Sequence, residues 1–240
     1  MTVTRISLWS GPRNISTALM YSFRQRPDTT VVDEPLYAHY LRRSGVVHPG
    51  RDDVLADQDS DGESVVRDVI LAEVPTPVLF VKNMGHHLRG LDWSFLSQLH
   101  NVILTRDPAE MLPSLIRQLP EPDLEGTGLP VQVELLDATL ADDRQPLVVD
   151  SRLLLTDPRS VLTKLLEAVG LDFQEAMLSW PPGPVPEDGI WAPHWYDSVH
   201  RSTGFAEYRA KQELVPKHIE PLLAQAAPLY ERLLAYAIQP

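Results

Sequence analysis

Two apolar runs, Val78-Leu79-Phe80-Val81 and Val102-Ile103-Leu104, show no alternation of polar and apolar residues. A strand with one wet face alternates; a strand covered on both faces does not. These runs therefore predict interior strands of a parallel sheet. Pro77–Asn83 and Asn101–Arg106 contain them, and Arg5–Ser10, Thr29–Asp33 and Pro146–Ser151 read as three further strands. Helical patterns separate them at Thr17–Arg26, Ser64–Val74, Asp92–Leu99, Ala109–Leu119 and Val131–Leu140, with another at Pro158–Val169. The β-α alternation predicts an α/β domain of three layers, α/β/α, around a central, mainly parallel sheet of about five strands. Ligands of such sheets collect at the carboxyl ends of the strands.

The remaining segments are less regular. Asp52–Glu63 is acidic and poor in apolar residues, and reads as a solvated surface loop. The prolines gather in Pro120–Pro130 and Pro181–Pro193, which read as ordered loops. Trp180–Gly204 has no periodicity but carries Trp191, His194, Trp195, Tyr196, His200 and Arg201, the pattern of a functional loop. Helices are expected to resume at about Phe205 and run to the C-terminus, interrupted near Pro216. The 240 residues fit one domain, residues 1–240. There is no cysteine, which excludes disulfides and thiol catalysis. No apolar run approaches a membrane span and no signal peptide opens the chain, so a cytoplasmic location is the expectation. A net charge of −12 with no basic cluster argues against a nucleic-acid partner. If an anion is bound, the few basic residues must converge on one site.

The first segment that carries chemistry is Ser10-Gly11-Pro12-Arg13-Asn14-Ile15-Ser16-Thr17, between the first strand and the first helix. Amides at a helix N-terminus point at an anion, and the helix dipole favours negative charge there. Ser16 and Thr17 add hydroxyl donors, and Arg13 adds a planar cation. The same residue types serve an ordinary N-cap by Asn14 or Ser16. The Gly-Lys pair of the nucleotide-hydrolase P-loop is absent. The segment instead resembles the 5′-phosphosulfate loop of the sulfotransferases, Pro-Lys/Arg-Ser-Gly-Thr/Ser-Thr. Pro12, Arg13, Ser16 and Thr17 match it, while Asn14 and Ile15 stand where that family has Ser-Gly. A β-branched residue resists positive φ, so Ile15 implies a loop built differently.

Four other segments are similar to sulfotransferase motifs. An apolar strand ends at Arg106, and Ser114 follows eight residues later on a helix. The family uses that arrangement for the 3′-phosphate of 3′-phosphoadenosine 5′-phosphosulfate (PAPS). By themselves, Arg106 paired with Asp107 and a solvent-facing Ser114 would be an equally ordinary reading. Leu79–His87 resembles the family's strand ending in Lys-Thr-His: Lys82 matches the lysine, and His86, displaced by two residues, is the nearest counterpart of the catalytic histidine, with His87 beside it. In Val32-Asp33-Glu34-Pro35, Glu34 stands where some bacterial and carbohydrate sulfotransferases carry a glutamate base; Tyr37, His39 and Tyr40 would then line the acceptor side. The plainer reading is a surface Asp-Glu pair before a turn. Arg201, Ser202, Thr203 and Gly204 occupy the place in chain order of the family's loop over the 3′-phosphate, although a helix N-cap there is as ordinary a use. Trp191 and Trp195 would stack on adenine, wall the acceptor pocket or anchor the loop.

The resemblance implies a P-loop-type fold and sulfonyl transfer from PAPS to a hydroxyl or amine of a small-molecule acceptor, with no metal required. Arg13, Asn14, Ser16 and Thr17 would hold the phosphosulfate, Lys82 the leaving oxygen, and Glu34, or His86 or His87, the proton. Two alternatives remain open: a small-molecule kinase, and a sulfotransferase-like fold turned to nucleotide binding or hydrolysis.

Overall fold

The computed structural model describes residues 3–210 and 213–240. Five strands build one sheet: β1 (Thr4–Ser10), β2 (Thr29–Asp33), β3 (Val78–Met84), β4 (His100–Thr105) and β5 (Leu147–Asp150). Their order is β2-β3-β1-β4-β5 and every neighbouring pair is parallel. The fold class read from the sequence is the one observed. The chain passes from β1 to one edge of the sheet, returns through β3, and crosses to the other half at β4. The loop after β1 thus lies where the order reverses, which is where such sheets open a crevice.

Around the sheet lie α1 (Ser16–Arg24), α2 (Tyr37–Ser44), α3 (Arg51–Asp57) and α4 (Gly62–Val65), the last continuing as a π turn over Val66–Ile70. Then come α5 (Pro108–Leu115), α6 (Leu129–Ala141), α7 (Ser151–Thr156) and α8 (Pro158–Ala168). The short turns α9 (Ala192–Trp195) and α10 (Asp197–His200) precede α11 (Glu220–Leu234). On one face of the sheet Ile6, Leu8, Phe80, Val102 and Leu104 pack with Leu19, Met20 and Phe23 of α1 and with Val161 and Leu165 of α8. Phe23 stacks on Phe80 with ring centroids 4.0 Å apart. On the other face Trp9, Leu79, Val81, Ile103 and Val148 meet Val133 and Leu136 of α6 and Tyr230 and Leu233 of α11. Each large apolar side chain so buried contributes about 1.5–3 kcal/mol against exposure. The non-alternating strands are apolar throughout because both faces are covered.

Several segments differ from their sequence reading. Asp52–Glu63 is not a loop: α3 occupies much of it, with Val54 fully buried and the Asp side chains outward. One apolar residue per helical turn is enough to dock it. Gln58, just past α3, fastens it further, accepting from the Ala38 amide (3.1 Å) and donating to the Glu34 carbonyl (3.1 Å). The helix expected over Ser64–Val74 stops at Ile70, short of Pro75 and Pro77. Asp92–Leu99 is a tight 3-10 turn at Trp93–Gln98. The helix expected from Phe205 is absent over the described part of 205–216, residues 211 and 212 of it lying outside the described residues. It begins instead with a 3-10 turn at Lys217–Ile219, directly after Pro216, whose ring fixes the turn into α11. The helix α2 was missed, although Pro35 precedes it and Gly45 ends it in the left-handed conformation.

Candidate active site

The loop after β1 is held from several sides. At Gly11 a Cβ would lie 3.0 Å from the Thr127 carbonyl oxygen, so the position favours glycine. Positive φ in this loop falls on Arg13 (+52°), while Ile15 sits at −96°. That is how an isoleucine is accommodated where the phosphosulfate loop has glycine. No side chain caps α1. Asn14 accepts from the Ile15 amide (2.9 Å) and donates to the Leu104 carbonyl (3.1 Å), tying the loop to β4. The ordinary N-cap by Asn14 or Ser16 therefore does not form. The amides of Ser16, Thr17 and Ala18, before the first intrahelical bond from Leu19 to the Ile15 carbonyl (3.0 Å), are the free donors of a helix start.

The second motif arrives at the same place. Arg106, at the end of β4, donates from a terminal nitrogen to the Arg13 carbonyl (3.0 Å) and pairs with Glu110 (3.2 Å) on α5. Ser114 Oγ, one helical step further along α5, accepts from Arg13 Nε (3.0 Å). Asp107 caps α5 through the Ala109 amide (2.8 Å), which answers the expectation of an Arg106–Asp107 pair. The Arg13 guanidinium is pushed below its ordinary range by burial, and further by the charges of Arg106 and Arg117. Arg13 and Arg106 thus meet at one loop of a chain with net charge −12, while Arg117 pairs with Glu213 nearer the surface.

Across the sheet's C-terminal end, β2 and β3 supply a different chemistry. Glu34 directly follows β2 at a φ of +39°, with Pro35 next. Lys82, on β3 and 1% exposed, donates to Asp33 Oδ1 (2.8 Å), Glu34 Oε1 (2.5 Å) and Tyr196 Oη (2.5 Å). An ammonium has three donors, and all three are engaged. The Tyr196 hydroxyl in turn donates to Asp33 Oδ2 (2.7 Å) and accepts from Trp191 Nε1 (3.0 Å). Burial works against the Lys82 charge, but Asp33 and Glu34 outweigh it and hold the ammonium above its ordinary range. Burial raises Glu34, opposed by the Lys82 charge and reinforced by that of Asp33. Glu34 Oε2 lies 3.9 Å from His87 Nε2, too far for a direct hydrogen bond.

His86 and His87 sit in a 3-10 turn, Gly85–Leu88, immediately after β3. Both are buried; burial pushes His86 down to about 3 and His87 well below its usual value, so both imidazoles are neutral near pH 7. Among the described residues, His86 Nδ1 and both ring nitrogens of His87 find no hydrogen-bond partner. His87 stacks on Tyr37 (centroids 5.4 Å), and Tyr40 lies 4.4 Å from His86. A cavity of about 550 Å³ joins these groups; its lining includes Arg13, Ser16, Thr17, Glu34, Lys82 and His87.

Pro12, Asn14 and His86 also line that cavity, as do Tyr37, Tyr40, Trp191 and Trp195. Arg106 and Ser114 are not among the residues lining this cavity; each is bonded to Arg13, which is. His39 instead contacts the Arg89 carbonyl (3.1 Å). Lys82 departs from its expected role, because its donors are spent on Asp33, Glu34 and Tyr196 rather than directed to a leaving oxygen. Arg201, Ser202, Thr203 and Gly204 are not among the cavity-lining residues. Arg201 is exposed and pairs with Asp197. The Ser202 hydroxyl accepts from Trp180 Nε1 (3.0 Å) and the Thr203 carbonyl from the Trp180 amide (3.1 Å). Gly204 pairs with Ser179, where a Cβ would lie 2.7 Å from the Leu178 carbonyl oxygen. These four close the late loop on itself. Tyr196 and His48 are the site residues the sequence reading missed; the aperiodic aromatic stretch around Tyr196 was the available sign.

The sheet order and the β1 loop are those of a sulfotransferase-like P-loop fold. The chain matches the family described as sulfotransferase domain over residues 4–237 and belongs to that family. Among curated proteins it is 41% and 39% identical, over 229 residues, to branched-chain-amino-acid aminotransferase-like proteins 1 and 2 of Arabidopsis thaliana. The match covers 95% of this chain but 41% of each relative, so the chain spans about two fifths of their length. Among solved structures it is similar to the sulfotransferase domain of the Synechococcus olefin synthase, with a TM-score of 0.54, 18% identity, and 99% and 96% of the two chains covered. A sulfotransferase from Alicyclobacillus acidocaldarius superposes with a TM-score of 0.57 at 12% identity, covering 100% of this chain and 98% of the other. These structural likenesses establish the fold. Among the described residues no helix is long and apolar enough to cross a membrane.

Proposed function

We propose that the chain transfers a sulfonyl group from PAPS to a hydroxyl or amine of a small acceptor. The observation that supports this reading best is the meeting of the two anion motifs: Arg13 Nε on Ser114 Oγ, with Arg106 on the Arg13 carbonyl. The uncapped start of α1 and the Arg106 charge beside the half-buried Arg13 both favour an anion there. In this reading Arg13, Ser16, Thr17 and the α1 amides hold the phosphosulfate, and Arg106 with Ser114 holds the 3′-phosphate. Glu34, buried with a raised affinity for protons, takes the proton from the acceptor as its oxygen or nitrogen bonds to sulfur. The S–O bond to the phosphate breaks in the same transfer, and the electron pair leaves on 3′-phosphoadenosine 5′-phosphate (PAP). Lys82 keeps Glu34 in place, and neutral His87 orients the acceptor atom. The aromatic walls Tyr37, Tyr40, Trp191 and Trp195 exclude water from the transfer.

The test is calorimetric titration with PAP, ADP and ATP. Tight binding of PAP, with ADP and ATP at least tenfold weaker, is expected. Preference for ATP, or no discrimination, would overturn the PAPS reading in favour of a kinase or a generic nucleotide-binding protein. Consumption of PAPS with a panel of hydroxyl and amine acceptors then identifies the acceptor.

A further inference from the structure

The late loop reaches the sheet through a hydroxyl and a backbone amide. Tyr196 Oη touches three groups: Lys82 Nζ (2.5 Å), Asp33 Oδ2 (2.7 Å) and Trp191 Nε1 (3.0 Å). Asp33 also accepts from the Gly189 amide (3.2 Å), a second tie from the same loop. We propose that Asp33 and Tyr196 are positioning residues for the reaction: Asp33 shares the Lys82 ammonium with Glu34 and the Tyr196 hydroxyl tempers Asp33, so that Glu34 keeps one bond to the ammonium and retains the capacity to accept a proton. The assignment of Glu34 as base rests on the reading given above; the division of the lysine rests on the geometry alone.

The physical argument is one of competition. A buried carboxylate fully paired with an ammonium is a weak base, because the cation stabilises its charge. A buried carboxylate with no cation nearby is protonated already and is equally useless. Glu34 lies between these limits because Lys82 faces two carboxylates at once. Asp33 draws the ammonium away from Glu34 and adds a negative charge beside it. The Tyr196 hydroxyl opposes this, since its donation to Asp33 spends part of that carboxylate's charge. Removing the hydroxyl therefore leaves Asp33 a stronger rival for Lys82, and Glu34 becomes harder to ionise. Removing the Asp33 charge gives Lys82 wholly to Glu34, which becomes easier to ionise. The other titratable groups near Glu34 are Tyr37 on α2, His86 and His87 on the turn after β3, and His48, whose Nδ1 is hydrogen-bonded to the Tyr37 hydroxyl (2.9 Å). Burial keeps the imidazoles neutral near pH 7, and Tyr37 is raised well above its ordinary range, so none of them adds a charge there.

The experiment is a carbon-13 NMR titration of the Glu34 carboxyl in glutamate-labelled protein, the resonance being assigned by its loss in Glu34→Gln. Tyr196→Phe is expected to move the midpoint upward and Asp33→Asn to move it downward, each by about one pH unit, a tenfold change in the ionised fraction at fixed pH. PAP affinity, measured by calorimetry in the same samples, is expected to stay within threefold of the parent. Shifts of opposite sign support the proposal, because a merely structural disturbance has no reason to reverse direction. Unmoved midpoints, or shifts of the same sign, overturn it. If Tyr196→Phe fails to fold, Asp33→Asn alone decides: a downward shift supports the proposal and any other result overturns it. Failure of the parent protein to bind PAP would remove the sulfonyl-transfer reading and leave the signs of these shifts as an independent result.

Discussion

Arg13 Nε donates a 3.0 Å hydrogen bond to Ser114 Oγ, joining two residues 101 positions apart in the chain. The bond exists because the strands that carry the two motifs, β1 and β4, are neighbours in the sheet. Their loops leave from the same end, so two short motifs of modest individual meaning become one site.

Arg106→Ala should weaken PAP binding about 10- to 100-fold, following the loss of a charged hydrogen-bonding group worth roughly 1.5–3 kcal/mol. Sequence alone suggests an unchanged melting temperature. The bond from Arg106 to the Arg13 carbonyl alters that expectation, since its loss frees the β1 loop. A fall of a few degrees is expected by calorimetry, together with the loss of affinity. Full PAP affinity in the variant would reject the 3′-phosphate assignment.

Glu34→Gln should lower turnover of PAPS by roughly 10²- to 10⁴-fold, the range for removal of a general base. PAP affinity should be unaffected, because Glu34 belongs to the β2 side of the cavity. His86→Asn and His87→Asn, assayed beside it, should lose less. If a histidine variant loses turnover while the glutamine variant keeps it, the base has been misassigned.

Lys82→Met should destabilise the fold by about 3–5 kcal/mol, because it leaves Asp33 and Glu34 buried side by side without their cation. Adding Asp33→Asn and Glu34→Gln should recover much of that loss. Chemical denaturation measures both. If the single variant is as stable as the parent, the ammonium is not holding the two carboxylates.

Stability should also fall in acid through the buried histidines. His86 has a folded value pushed down to about 3, below that of the unfolded chain near 6.5. The unfolded state therefore binds the proton first, and stability is lost as pH falls from about 6.5 toward 3, at about 1.4 kcal/mol per unit. Glu34, whose folded value is raised, works in the opposite sense and offsets part of this near its own titration. Comparing denaturation of the parent and of His86→Gln between pH 6 and pH 4 isolates the histidine: the difference in stability should shrink steadily as pH falls. Parallel curves would mean that His86 is already charged in the fold.

The sheet was legible because its strands are apolar without alternation, and burial on both faces leaves that pattern in the residues. Arg13, Glu34, Lys82 and Arg106 were legible because each stands at or just past the end of such a strand. The late loop was not, because its closing bonds join Ser202 and Thr203 to Trp180, with Ser202 22 residues further along the chain. Nothing local to Ser202 or Thr203 says that they close on Trp180 rather than on a ligand. Tyr196 was hidden for a related reason. Its partners, Lys82 and Asp33, are 114 and 163 residues away, and one tyrosine among several aromatics carries no mark of that pairing. The fate of Asp52–Glu63 shows a third limit. Composition reported its wet face, and a single buried Val54 decided the rest.

The order β2-β3-β1-β4-β5 has a consequence for how such a molecule can change. The anion loop draws on β1, β4 and α5, whereas the carboxylates, the lysine and the histidines belong to β2 and β3, on one flank of the sheet. Substitutions that reshape the aromatic walls over β2 and β3 leave the Arg13–Ser114 and Arg106–Arg13 bonds untouched. On the proposed function, a lineage, or an engineer, can therefore retarget the chain to new acceptors by varying one flank while inheriting the donor's grip intact on the other.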